Sequence, residues 1–373
     1  MGKRKMDYVF IICIIICICL LFCMETKKNF TFLEREKKTT SPESTVDKTE
    51  GNFPVQIPDS WKEEIDLNNR IDATVNVSEN IRKNGFRSAN AVIKSVDREG
   101  ILQTLENYYH PQKGIEDEQV IQYLGEDNMY LYFFKSGEVS LTSNLRNYIS
   151  MAYHEELTED YNRDLYPVDK DLGDFPIDEC DKKIGDIFET IGVQGELVIG
   201  HRTLDYKILE KEAEELHDDG TRTKPDYKWS MRDNSYYCTI SQACNGLAVI
   251  PDYCLKTYAN ILNESGHIFL LNKERIVSFY INSIYDIQYD NKYEKLMEFS
   301  EILEKYKQYV SIARQDYETV VTDITMRAIA VEQENEKYQI VPVWIFYGYW
   351  EESTENVTGS HAVFINAVTG ERL

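Results

Sequence analysis

The hydrophobic pattern of the chain begins with one long apolar run and then changes to short amphipathic segments. Residues 8–24 hold no charge, Gly or Pro, and they follow a basic start at Lys3, Arg4 and Lys5. As a helix this run spans roughly 25 Å at about 1.5 Å per residue, against a hydrocarbon core about 30 Å thick. It therefore predicts a transmembrane segment in the cell membrane. By the positive-inside rule, residues 1–7 form a cytoplasmic tail and the C-terminal ectodomain lies outside.

The apolar segment has three alternative fates. We expect an uncleaved signal anchor, because the run exceeds the roughly 7–15 apolar residues of a secretory signal peptide and no A-x-A cleavage pattern follows it. Cys23 stands where a bacterial lipoprotein carries its lipid, although Phe22 before it is larger than the residue usual at that position. Cleaved secretion is the third alternative.

Residues 25–54 show no apolar periodicity. They are rich in Lys, Glu, Thr and Ser, a composition that buries too little apolar surface to order the chain. We expect a disordered stalk between the membrane segment and a folded ectodomain.

From residue 55 onward, apolar positions follow either the strand period of two or the helical period. Residues 70–77 alternate as a half-buried strand, whereas residues 98–109 and 294–310 repeat as amphipathic helices. Hairpins are predicted within 129–142 and 267–281. Together these elements predict an α+β class, in which helices pack on antiparallel β-meanders.

The ectodomain is predicted in two α+β parts, residues 55–175 and 176–373. The second part ends in three strands near 320–331, 338–347 and 361–368. We expect the last two strands to pair antiparallel and to pack on the 294–310 helix. The strand residues expected to face that helix are apolar: Val343, Ile345, Val363 and Ile365.

The charge of the chain narrows the choice of partners. A formal net charge of -23 would repel phosphate backbones, so no nucleic-acid partner is expected. Basic proteins, cations or wall components fit such a surface better.

Four cysteines lie outside the apolar run: Cys180, Cys238, Cys244 and Cys254. In an oxidising compartment they can form two disulfides in any of three connectivities. Cys238 and Cys244 are near enough in sequence to close a small loop, so this pair is a candidate disulfide. Buried free thiols are the alternative, and the spacings match no zinc-binding template.

An aromatic cluster near the C-terminus is the candidate binding surface. It comprises Trp344, Phe346, Tyr347, Tyr349 and Trp350. Such residues can line a rim that stacks on a sugar or docks a peptide. The alternative is that one side of the cluster belongs to the core.

Motifs that carry chemistry are missing from the sequence. There is no G-x-S-x-G, no P-loop and no dinucleotide-binding fingerprint. The six His residues are scattered, and none pairs with another at ligand spacing. We therefore predict no catalytic residue, no cofactor and no metal ligand.

The end of the chain carries a pattern that suggests a family. Val341-Pro-Val-Trp344 is followed after a loop by residues 363–371, which read VFINAVTGE. This resembles the closing hairpin of YycH/YycI-like and PepSY-like extracytoplasmic domains. The wider chain resembles a family of membrane- or lipid-anchored ectodomains of Gram-positive bacteria, through residues 57–61 with 71–73, 275–280 with 296–302, and 341–346. The YycH/YycI resemblance implies contact with a membrane sensor kinase.

These features together favour a non-catalytic interaction or regulatory module at the bacterial cell envelope. Its expected partners are a membrane sensor kinase or another envelope protein, besides the membrane itself through residues 8–24. Two other functions remain as alternatives: a wall- or glycan-acting hydrolase that uses paired carboxylates, and a passive ligand carrier.

Overall fold

The fold is that of a computed structural model, which describes residues 56–153, 165–193, 195–217, 220–251, 266–312, 317–334, 337–352 and 357–373. Residues 52–373 form one compact unit. The predicted membrane segment, including Cys23, lies outside the described residues, and so do the predicted stalk and Cys254. Among the described residues, no helix has both the length and the apolar character needed to cross a membrane.

Eighteen strands and six helices make up the described part of the chain. The strands are β1 (Ser60–Glu64), β2 (Asn69–Asn76), β3 (Phe86–Lys94), β4 (Gln112–Glu116), β5 (Val120–Gly125), β6 (Met129–Phe134), β7 (Val139–Thr142), β8 (Leu197–Leu204), β9 (Glu215–Leu216), β10 (Arg222–Thr223), β11 (Ser235–Cys244), β12 (Leu247–Pro251), β13 (His267–Asn272), β14 (Ile276–Ile281), β15 (Ile284–Glu294), β16 (Glu318–Glu332), β17 (Lys337–Glu352) and β18 (Val357–Asn366). The helices are α1 (Glu79–Asn84), α2 (Arg98–Tyr109), α3 (Asn144–Ser150), α4 (Ile177–Thr190), α5 (Tyr206–Glu212) and α6 (Phe299–Ile312).

One half of the main sheet is built around the long antiparallel pair β16–β17. On the edge away from β17, β16 pairs in parallel with two strands. Its first half pairs with β2, and residues further along pair with β12. The free edge of β17 pairs with β18 along most of its length and with β3 near its start, and β3 pairs with β15. Helix α6 covers one face of this half, where it shares a buried core with β16, β17 and β18.

The other half of the sheet is antiparallel throughout the described strands. Its order is β8, β11, β13, β14, β7, β6, β5, β4, so the meander β4–β7 forms one end. Helices α2 and α4 pack against one face, through residues such as Leu105 and Ile184. Helices α3 and α5 contribute to a smaller core with β13 and β14. The β11–β12 pair joins the two halves.

The structure confirms the α+β class with mostly antiparallel pairing. Strands from both sides of the predicted boundary at residue 175 pair with one another. Strand β3 pairs with both β15 and β17, β2 pairs with β16, and β7 pairs with β14. Because strands from either side of that boundary alternate within one sheet, the parts 55–175 and 176–373 are not separate units.

The C-terminal hairpin pairs as predicted, but one of its strands faces the other way. Residues 343–352 pair antiparallel with 357–366, and Val363 and Ile365 share the core of helix α6. Val343 and Ile345 instead belong to a cluster on the opposite face. Since successive strand residues point to opposite faces, the residues of β17 that meet α6 are Trp344 and Phe346.

Candidate functional site

The predicted aromatic rim at residues 344–350 is wrong for Trp344 and Phe346, which are buried. Trp344 is 1% exposed and Phe346 is fully buried. Tyr306 of α6 stacks on Phe346 with ring centroids 4.3 Å apart, and Phe299 packs on Trp344 at 5.2 Å. These contacts make both residues core positions.

The other three aromatic residues of the predicted rim are half-buried: Tyr347, Tyr349 and Trp350. Tyr347 and Tyr349 alternate to the opposite face of β17 from Trp344 and Phe346. The five residues therefore do not form one continuous binding surface.

The disulfide predicted between Cys238 and Cys244 is also wrong in this structure. Both residues lie on β11, and both are buried free thiols. Six residues of strand span about 20 Å, whereas a disulfide needs Cα atoms less than about 7 Å apart. An extended strand therefore cannot bring these two sulfurs together.

Cys238 instead lies in a buried cluster with Cys180 and His201. Cys238 on β11 stands directly opposite His201 on β8, so the two side chains share one face of the sheet. Cys180 lies in the first turn of α4, which packs on that face. The Cys180 and Cys238 sulfurs are 3.6 Å apart. One donor atom from each of the three residues lies within 4.8 Å of the others.

Two carboxylates hold the His201 ring in this cluster. Oδ1 of Asp181 lies 2.7 Å from Nε2, and Oδ1 of Asp169 lies 3.2 Å from Nδ1. The backbone N–H of His201 also donates to Oδ1 of Asp169. Asp169 itself has a positive φ of 48°, a conformation that Asp tolerates better than most residues. The ring is thus fixed from both sides.

The environment of Cys238 in this cluster opposes a free thiolate. Burial raises the pKa of the Cys238 thiol well above its usual range, and the neighbouring Cys180, Asp181 and Asp169 raise it further. Both cysteines are fully buried, while His201 is 6% exposed. The Cys238 sulfur therefore favours its protonated form.

A second feature lies on the outer face of the meander end of the sheet. Strand β6 alternates, with Met129, Leu131 and Phe133 in the core and three aromatic residues on the other face. The outward residues are Tyr130, Tyr132 and Phe134, of which Tyr130 and Phe134 are 37% and 40% exposed. Successive rings stack at 6.4 and 6.2 Å between centroids.

Neighbouring strands extend this outward surface. Leu124 of β5 pairs with Tyr130, and Tyr280 of β14 pairs with Ser140 of β7, which in turn pairs with Tyr132. Leu124 and Tyr280 are also exposed. We call these five residues the aromatic face: Leu124, Tyr130, Tyr132, Phe134 and Tyr280.

Two open depressions lie on the surface that the described residues form. One, of about 680 Å³, lies beside Trp61 and Phe299, and Glu298 is the carboxylate among its described lining residues. The other, of about 430 Å³, lies beside Met326, and Asp323 is the carboxylate among its described lining residues. Paired acid and base carboxylates, which glycan hydrolysis needs, are absent from both depressions in the described part of the chain.

No protein-family model matches the chain, and no curated protein matches it. A solved structure is similar: the 1.45 Å crystal structure of an uncharacterized protein from Eubacterium rectale. It has a TM-score of 0.61 and 16% sequence identity, over 85% of this chain and 93% of that chain. At this identity the likeness concerns the fold alone.

Proposed function

We propose that this protein is a membrane-anchored extracytoplasmic module that works by binding a partner protein at the cell envelope, not by catalysis. The observation that carries the proposal is the aromatic face. Sheets usually bury one face and present polar residues on the other, so a face with four exposed and one half-buried apolar or aromatic residues needs a reason. Exposed Tyr and Phe are typical anchors of protein interfaces.

The rigidity of this surface supports a docking role. Each outward residue of β6 is backed by a buried neighbour in the same strand, and β6 is paired on both sides, with β5 and with β7. The rings are therefore held in place before binding, which lowers the entropy lost on association. Gln122 and Ser140 supply polar groups between the rings.

The partner we assign is a protein of the same membrane, and first of all the extracytoplasmic part of a sensor kinase. Two expectations from the sequence support it: the apolar segment 8–24, and the resemblance of residues 341–371 to domains that contact such kinases. An anchored module meets membrane proteins at a high effective concentration, so a modest aromatic surface suffices for binding.

The first experiment tests partner binding with the full chain in its native membrane. A photo-crosslinking amino acid placed at Gln122 is combined with the double substitution Tyr132→Ser and Phe134→Ser. We expect a crosslinked membrane protein with the otherwise unchanged chain, and at least a tenfold loss of that product with the double variant. Tyr293→Ser is the matched control, because Tyr293 is exposed on β15 in the other half of the sheet. Equal crosslinking by all three chains would refute the proposal.

A second experiment tests the topology. Protease treatment of intact cells should remove residues 25–373 and leave only the membrane segment and the tail before it. A fully protected chain would show that it is not extracytoplasmic.

A further inference from the structure

We infer that Cys180, His201 and Cys238 form a zinc site that fastens helix α4 to strands β8 and β11. None of the three was predicted as a ligand, because they are far apart in the sequence. The site is independent of the aromatic face, which lies on other strands.

The distance between the sulfurs is the first argument. Zn–S bonds of about 2.3 Å in a tetrahedral site place two sulfurs about 3.8 Å apart. The observed distance is 3.6 Å. A disulfide would require about 2.05 Å. The two cysteines are thus spaced as two ligands of one ion.

The third donor distinguishes this arrangement from two thiols that merely touch. A ring nitrogen of His201 lies within 4.8 Å of both sulfurs. An ion that binds all three atoms takes the place of the carboxylate oxygen now at that nitrogen. Two thiolates and an imidazole are ligands that zinc favours. The backbone pairing of His201 with Cys238 fixes two of the three donors relative to each other.

The two carboxylates complete the site. Whichever ring nitrogen binds the metal, the other keeps its own carboxylate, Asp169 at Nδ1 or Asp181 at Nε2. A carboxylate that orients a metal-bound His is the usual arrangement around zinc.

The charge balance suits a buried position. Binding releases one proton from each thiol, so that Zn²⁺ and two thiolates give a centre without net charge, apart from any carboxylate ligand.

The experiment uses the full chain, purified in detergent without chelator or reductant, with zinc as the metal. Elemental analysis should find about one zinc per chain, as expected for a single structural site. Cobalt added after chelation should produce the charge-transfer absorption of cobalt–thiolate bonds. Cys180→Ser and His201→Gln should lose the bound zinc and weaken that absorption. Cys244→Ser is the matched control, since Cys244 is a buried cysteine outside the cluster, and should keep both.

A measurement on the unchanged chain covers the case in which the variants fail to fold. Removal of zinc by a chelator should lower the Tm, and restored zinc should return it. The inference is overturned if the purified chain holds no zinc and binds no cobalt. Alkylation of the metal-free chain then shows what the cysteines form instead. Resistance to alkylation indicates a disulfide between Cys180 and Cys238, and reaction indicates two free thiols; either result, without bound metal, refutes the zinc site. It is equally overturned if Cys180→Ser retains the metal.

Discussion

Gly348 gives the sharpest test of the fold, because a single added methyl group meets backbone atoms there. It lies on β17 opposite a bulge in β16, where Val321 pairs with Gly348 and Asp323 pairs with the preceding residue, Tyr347. A Cβ at Gly348 would stand 1.8 Å from the carbonyl oxygen of Val320 and 2.8 Å from Cα of Val321. Carbon atoms in contact normally stand about 3.5–4.0 Å apart.

The cost of Gly348→Ala follows from that clash. The two strands must separate by more than about 1 Å, since neither obstacle is a flexible side chain, and packed backbones yield only with strain of roughly 1–3 kcal/mol. Two or three ladder hydrogen bonds on either side weaken, at about 0.5–1.5 kcal/mol each. We expect a loss of about 3–5 kcal/mol from a free energy of unfolding typically of about 5–15 kcal/mol.

Gly185→Ala is the matched control for this substitution. Gly185 lies inside helix α4, and a Cβ there meets nothing within 4 Å. Replacing Gly by Ala in a helix interior should stabilise by about 0.5–1 kcal/mol. Urea unfolding of both variants, followed by Trp fluorescence, measures the two effects with opposite sign. The reasoning is refuted if Gly348→Ala unfolds at the same urea concentration as the unchanged chain, or if Gly185→Ala proves the more damaging variant.

Three further predictions concern single side chains. Ile365→Ala should cost about 2–5 kcal/mol in urea unfolding, because Ile365 is fully buried beneath α6; an unchanged midpoint would remove β18 from the core. His361 accepts or donates a hydrogen bond at Tyr306, and its burial, with Arg372 nearby, lowers its pKa to about 4. Since the unfolded chain takes up a proton near pH 6.5 and the folded chain does not, stability should fall as the pH drops from 6.5 to about 4. His361→Gln should make that decline shallower, and an identical pH profile would contradict the assignment. Asp169→Asn should lower the affinity for zinc about 10–100-fold, as measured by competition with a chelator. At saturating zinc the variant should still bind the metal.

Elements with a strong local signal could be predicted from the sequence. Asp97 accepts hydrogen bonds from the N–H groups of Glu99 and Gly100, so α2 begins where the capping residue predicts. The hairpins predicted at 129–142 and 267–281 are confirmed. Each could be predicted because apolar alternation flanks a segment of turn residues. Local chemistry determines these elements almost alone.

Elements that depend on distant partners were missed or displaced. The helix predicted from residue 294 begins at Phe299, and the polar residues before it form β15, which is held by β3 almost two hundred residues away in the sequence. Asn245-Gly246, with φ of 55° and 75°, makes the two-residue turn between β11 and β12. Asn-Gly is a strong hairpin signal. The sequence therefore contained enough information for that turn, but not for the parallel pairing of β2 and β12 with β16.

The zinc site shows why ligand spacing is an incomplete guide. A search for paired His or closely spaced Cys finds local templates, in which one turn or one helix supplies two ligands. Here three separate elements supply one ligand each, and cross-strand register brings His201 and Cys238 together. The sequence offered only a weaker signal for this site. Two cysteines and a His lie in strands and a helix of one core, and Asp residues lie near the His in the fold.

The two aromatic clusters show how the same residue type acquires opposite roles. On β17 both faces are covered, so Trp344 and Phe346 become core residues and no rim forms. On β6 a single face is covered, and its alternation of Met129, Leu131 and Phe133 with aromatic residues leaves the second set outside. Composition cannot separate the two cases, because both strands are apolar at nearly every position. The number of faces that helices and neighbouring segments cover decides between them, and this depends on the tertiary fold. A binding surface in a chain of this kind is therefore best sought where an aromatic strand lies at the uncovered end of a sheet.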